Sequence, residues 1–229
     1  MEYCLDTGSL EMVKQAINVF PVNSVSMNPT IAAKDLKGKN ISFIENALII
    51  REVIGNDLPF FLEAMGDTAE EMVEDGKKVM ELIPGNTFVK IPACPEGLKA
   101  IKKLKLEGIR TSCTAIYTFN QAMLAAEAGA DYVAVYVSRL NNLGANGAAV
   151  VKEIKKAFIE RRIGCKVCAA SLKNNNDIEE VLKAGAENVA VTLDLLNNMS
   201  VHPFTEQTLA TFKSDWESVF GEGVRIIDM

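Results

Sequence analysis

What most constrains this chain is an alternation. Short runs rich in β-branched and aromatic residues recur along its length, separated by longer stretches with helical periodicity. The runs fall at residues 3–6, 24–27, 60–65, 88–92, 111–117, 132–137, 166–171 and 188–194. Helical patterns occupy 68–83, 96–108, 120–129, 147–162 and 177–185, and several close on a glycine (Gly108, Gly129, Gly185) that can take the positive φ of a helix end. Strict βα alternation with short connections implies parallel strands joined by right-handed crossovers. Eight strands make a closed (β/α)8 TIM barrel, and 229 residues suit one such domain spanning 1–229. The rival is an open doubly wound sheet, but no G-x-G-x-x-G or P-loop motif follows any strand. After the last strand, 205–220 reads as an extra C-terminal helix with Phe212, Trp216 and Phe220 along one face, to be packed on its own barrel or on a neighbouring subunit.

Several function classes drop out on composition. Twenty-four Lys and Arg stand against 30 Asp and Glu, a net charge of −6 with no basic run, so nucleic acid is not an expected partner. No apolar stretch approaches the ~20 residues of a membrane span, and the N-terminus lacks a basic-then-apolar leader, so the expectation is a cytoplasmic protein with no membrane contact. Five cysteines without a secretory signal point to reduced thiols. Cys165 and Cys168 match C-x-x-C, but on a strand they face opposite sides, and one histidine in the chain leaves no second ligand pair. No metal and no cofactor is expected.

In a barrel the chemistry gathers at the C-terminal ends of the strands. The polar residues there are Asp6, Asn28, Glu63, Lys90, Thr114, Tyr136, Arg139 and Ser171. Lys90 is the sharpest signal. Flanked by Phe88, Val89, Ile91 and Pro92, it either snorkels to water or sits desolvated in the barrel mouth. Desolvation lowers a lysine's pKa and makes it a nucleophile toward carbonyls, the route to a Schiff base. Asp6 and Glu63 can supply acid and base, with Thr114 and Tyr136 orienting water. Taken singly, Asp6 could cap a turn, Glu63 could pair with a barrel cation, Tyr136 could be core and Arg139 could be a surface residue.

Together the motifs Leu5-Asp6-Thr7, Asn28-Pro29-Thr30, Val89-Lys90-Ile91-Pro92, Thr114-Ala115-Ile116-Tyr117, Tyr136-Val137-Ser138-Arg139 and Ala169-Ala170-Ser171-Leu172-Lys173 resemble the small transaldolase and fructose-6-phosphate aldolase family. The resemblance covers essentially the whole chain. It implies a metal-free class I enzyme with Lys90 as the Schiff-base lysine and Asp6 as acid/base at the cleaved bond. Asn28 and Ser171 would hold the dihydroxyacetone part, and Arg139, Ser171 and Lys173 the phosphate. It further implies sugar-phosphate substrates and a homo-oligomeric ring such as a pentamer or decamer. Two departures stand out. Ser26-Met27 replaces the Thr-Thr usual before Asn-Pro, so that Met27 either reshapes the pocket floor or faces the helices. Glu63, as in the transaldolase branch, is combined with Tyr136, as in the aldolase branch. Transfer of a dihydroxyacetone unit is the first reading because Glu63 can shuttle a proton where an amide cannot. Cleavage to dihydroxyacetone and an aldehyde phosphate is the second, and a non-catalytic anion-binding barrel the third.

Overall fold

A computed structural model describes residues 1–229. Eight strands, β1 (Glu2–Asp6), β2 (Val22–Met27), β3 (Phe60–Glu63), β4 (Thr87–Pro92), β5 (Thr111–Ile116), β6 (Tyr132–Tyr136), β7 (Lys166–Ala170) and β8 (Asn188–Val191), pair in parallel and in sequence order. β1 also pairs with β8, which closes the barrel. The five anticipated helices are present as α4 (Ala69–Leu82), α5 (Pro95–Leu106), α6 (Phe119–Ala128), α8 (Gly147–Glu160) and α9 (Asn175–Lys183). Gly108, Gly129 and Gly185 all take positive φ just past α5, α6 and α9.

Sequence reading passed over α1 (Leu10–Val19), α2 (Pro29–Leu36), α3 (Phe43–Ile54), α7 (Val137–Asn142) and α10 (Leu193–Ser200). It also ran five strands too far: β3 stops at Glu63 and β5 at Ile116, Val137 begins α7, Ser171 follows β7, and Thr192 caps α10 through its side chain. Apolar residues at a strand–helix junction fit either period, and a capping hydroxyl decides the boundary.

Side chains alternate across each strand. Outward-facing Leu5, Val25, Leu62, Val89, Ile91 and Val133 pack under the helices in one large core. Met27 belongs to that core, with its sulfur against Gly8 and Asn46, so it faces the helices and not the pocket. Inside the barrel, Phe61 stacks on Phe88 and Tyr132 meets both edge-on, with ring centroids 4.9–5.3 Å apart, and the three fill the lower half. Beneath them Glu2, Lys166 and Asn188 form a polar plug around the Tyr132 hydroxyl. The floor is thus solid and the barrel opens only at the carboxyl ends of the strands.

α11 (Pro203–Phe220) starts two residues earlier than the aromatic spacing indicated and buries none of its residues. Phe204, Phe212 and Phe220 are exposed, and Trp216 stacks on Phe220 and donates its indole N–H to the Val224 carbonyl at 2.8 Å. Packing of this helix on its own barrel is therefore not realised. No helix is long and apolar enough to cross a membrane.

Candidate active site

The open end of the barrel holds a cavity of about 560 Å³ that reaches from the loops down to the aromatic floor. All nine residues singled out from the sequence (Asp6, Asn28, Glu63, Lys90, Thr114, Tyr136, Arg139, Ser171 and Lys173) line it. Register explains their convergence. β3 and β4 align Glu63 with Lys90, β1 and β2 align Asp6 with Ser26, and even residue numbers on β4 and β5 point inward with Lys90.

Lys90 is 6% exposed, so its stem and ammonium lie inside the barrel. Its Nζ donates to Ser26 Oγ at 3.2 Å and lies 3.5 Å from Glu63 Oε2, an ion pair too loose to count as a hydrogen bond. The expectation of a lowered lysine pKa is not met in the free protein. Burial does oppose the charge, but the attraction of Asp6 and then of Glu63 outweighs it, and the ammonium is held above its ordinary value. Burial acts in the same sense on both acids and prevails over Lys90: Asp6 and Glu63 are each pushed up from the usual carboxylate range. Two carboxyls and one ammonium thus share a desolvated space. Asp6 Oδ1 and Glu63 Oε2 are buried without a hydrogen-bond partner. Orphaned oxygens of this kind are costly in a finished interior and suit a site that receives donors from a ligand.

Across the cavity Thr114 Oγ1 and Tyr136 Oη lie 3.1 Å apart, and the Tyr136 phenol is held in its protonated form by burial. Arg139 is not on the sixth strand, where the sequence placed it, but on α7, exposed at the rim. Its guanidinium donates to Tyr117 Oη at 3.1 Å and lies over the Tyr136 ring. Lys173 is exposed nearby in the loop after β7 and close enough to lower the Asp6 carboxyl's proton affinity. Asn28 has a second duty. Its Oδ1 accepts from the Ile31 N–H and caps α2, which leaves the side-chain NH2 for the cavity.

Two non-glycine residues of the cavity wall, Ala115 (φ 57°) and Ser171 (φ 59°), sit in the left-handed region. Strain of this kind collects at functional sites. Sequence reading missed Ser26 as a partner of Lys90, and Asp35, whose Oδ2 accepts from Thr7 Oγ1 and the Gly8 N–H at the cavity's edge. Alternation on β2 would have revealed Ser26, since it shares the inward face with Asn28. Nothing in the local sequence marks Asp35. No group of three or more His, Cys, Asp or Glu side chains is arranged to hold a metal ion.

The sequence profile of the transaldolase/fructose-6-phosphate aldolase family matches residues 3–228. A Thermoplasma volcanium protein named "Probable transaldolase" is 35% identical over 228 residues, covering 99% of this chain and 100% of that one. A Streptococcus pneumoniae protein named "Probable fructose-6-phosphate aldolase" is 34% identical over 216 residues, covering 94% of this chain and 96% of the relative. With that match along nearly its whole length, the chain belongs to the transaldolase/fructose-6-phosphate aldolase family.

Proposed function

We propose that this protein is a metal-independent transaldolase that carries a dihydroxyacetone unit from a ketose phosphate to an acceptor aldehyde through a Schiff base on Lys90. The carrying observation is the buried Lys90 between Ser26 and Glu63, with Asp6 Oδ1 and Glu63 Oε2 unsatisfied beside it. Lys90 first gives a proton to Glu63, whose affinity for it is raised by burial. The free amine then adds to the ketose C2 carbonyl to give a carbinolamine. Glu63 returns the proton through a water held by Thr114 and Tyr136, the C2 hydroxyl leaves as water, and an iminium forms. Asp6 takes the C4 hydroxyl proton, the C3–C4 bond breaks, and its electron pair moves into the iminium to give an enamine and a free aldehyde. The enamine carbon then attacks the acceptor aldehyde, Asp6 returns its proton to the new hydroxyl, and water hydrolyses the new Schiff base.

Asn28 and Ser171 hold the dihydroxyacetone hydroxyls in this reading, and Arg139, Ser171 and Lys173 grip the phosphate. Arg139 suits that role because its one polar side-chain partner is neutral, which leaves most of its donor fork free. A second reading, aldolase turnover, is favoured by the Tyr136 phenol: kept protonated over the cavity, it can protonate the enamine and release dihydroxyacetone. The ratio of acceptor-dependent to acceptor-independent consumption of fructose 6-phosphate separates the two. A ratio well above one supports transfer, and consumption indifferent to acceptor supports cleavage.

The exposed aromatic face of α11 calls for a cover, and we assign it to a neighbouring copy in a homo-oligomeric ring. Removing residues 203–229 should lower the mass measured by light scattering to that of smaller species. An unchanged mass would place the contact elsewhere.

A further inference from the structure

The proposed anion grip draws on two loops, the β6–α7 junction that carries Arg139 and the β7–α9 loop that carries Ser171 and Lys173. The first of these has little local support. α7 has six residues, and its N-cap, Tyr136, makes no side-chain capping bond. A helix so short is not stable without tertiary support.

One buried carboxylate supplies that support. Asp177, in the first turn of α9, is 7% exposed, and none of its side-chain partners is a cation. Its Oδ2 accepts from Ser138 Oγ at 2.5 Å and its Oδ1 from Asn141 Nδ2 at 3.0 Å. Ser138 and Asn141 bracket Arg139 on α7. Asn141 Oδ1 in turn accepts the Gly147 N–H at 2.9 Å and ties α7 to the start of α8. Behind Asp177, its own N–H donates to Asn174 Oδ1 at 2.8 Å, at the end of the loop that carries Ser171 and Lys173. A carboxylate can accept on both oxygens at once, and the first turn of a helix favours negative charge. An amide has only one acceptor oxygen and would set an NH2 against a donor.

We propose that Asp177 is a positioning residue for anion recognition, fixing the Arg139 turn relative to the Ser171 loop. The inference rests on the reading of Arg139 as the partner of the substrate's phosphate. The test compares Asp177→Asn, Arg139→Ala and the double variant, with fructose 6-phosphate and phosphate-free fructose as donors and borohydride trapping of dihydroxyacetone as control. Asp177→Asn should raise KM for fructose 6-phosphate about 10-fold or more, since small misplacements of a binding group carry effects of this size. KM for fructose, kcat and trapping should stay within about twofold. In the Arg139→Ala background the same change should add nothing, because the two act as one unit. Equal KM changes for both ketoses, an undiminished effect without Arg139, or a drop in thermal stability with no KM change would each overturn the proposal. If Arg139→Ala itself fails to separate the two ketoses, the phosphate assignment has fallen and this inference falls with it, a failure read in a different arm. Should Asp177→Asn not fold, Ser138→Ala removes one bond of the clamp, leaves the Asn141 tie to α8 in place, and must show the same selectivity for the phosphorylated donor.

Discussion

Replacing Lys90 by Met should make the barrel's stability depend on pH in a direction set by Asp6 and Glu63. In the native protein Lys90 Nζ lies 3.5 Å from Glu63 Oε2 inside the barrel. At that separation and an effective dielectric near 20, the attraction is about 5 kcal/mol. Methionine fills the space and removes the charge. Two carboxyls already pushed up by burial are left without a cation, and the least costly response is to take up protons. Keeping one carboxyl protonated at pH 7, against an ordinary value of 4.5, costs about 3–4 kcal/mol, which bounds the destabilisation per group. The sign follows from linkage. In the variant the folded state binds more protons than the unfolded state above the ordinary carboxylate range, so stability falls as pH rises. Lys90→Met should therefore be close to wild type at pH 5 and about 3 kcal/mol less stable at pH 8. Urea unfolding followed by far-UV circular dichroism is the assay, because the single tryptophan, Trp216, lies on α11 and reports on that helix and not on the barrel. A stability difference that does not change between pH 5 and pH 8 would refute the charge cluster.

Three further outcomes follow from the cavity. Glu63→Gln should depress transfer and cleavage alike by about 10²-fold, because both pass through the carbinolamine, whereas Tyr136→Phe should suppress cleavage about 10²-fold more than transfer, because only cleavage needs the enamine protonated; proportional losses of both activities in Tyr136→Phe would show that the phenol does not partition the enamine. Arg139→Ala should raise KM for phosphorylated ketoses by about 10- to 100-fold, as the loss of a hydrogen bond to a charged group implies; equal effects on charged and uncharged ketoses would move the phosphate site. Ser171→Gly relieves a left-handed backbone, so thermal unfolding should show stability unchanged or raised by up to about 1 kcal/mol, while KM for phosphorylated ketoses rises; a lower melting temperature with unchanged KM would contradict the assignment.

The strands and their order were legible because buried parallel strands leave near-continuous apolar runs between glycine-ended helices, as at Val133 to Val135 after Gly129. α2 and α10 were hidden by their caps. Asn28 reads equally as a ligand residue and as a helix start, and it serves as the cap while facing the cavity. The site residues were legible because chemistry in this fold sits at strand ends, but their electrostatics were not. The direction of Lys90's shift depends on Asp6 and Glu63, which lie 84 and 27 positions away in the sequence and meet it only when the barrel closes. Asp177 was invisible for a related reason. It looks like an ordinary first-turn acid, and only the packing of α7 on α9 gives it Ser138 and Asn141 as partners.

The most direct measurement is borohydride reduction in the presence of dihydroxyacetone, followed by peptide mass mapping. A stable adduct on Lys90, absent in Lys90→Met at pH 5 where that variant stays folded, is the result this account predicts. No adduct, or an adduct on another lysine of the folded protein, would contradict it.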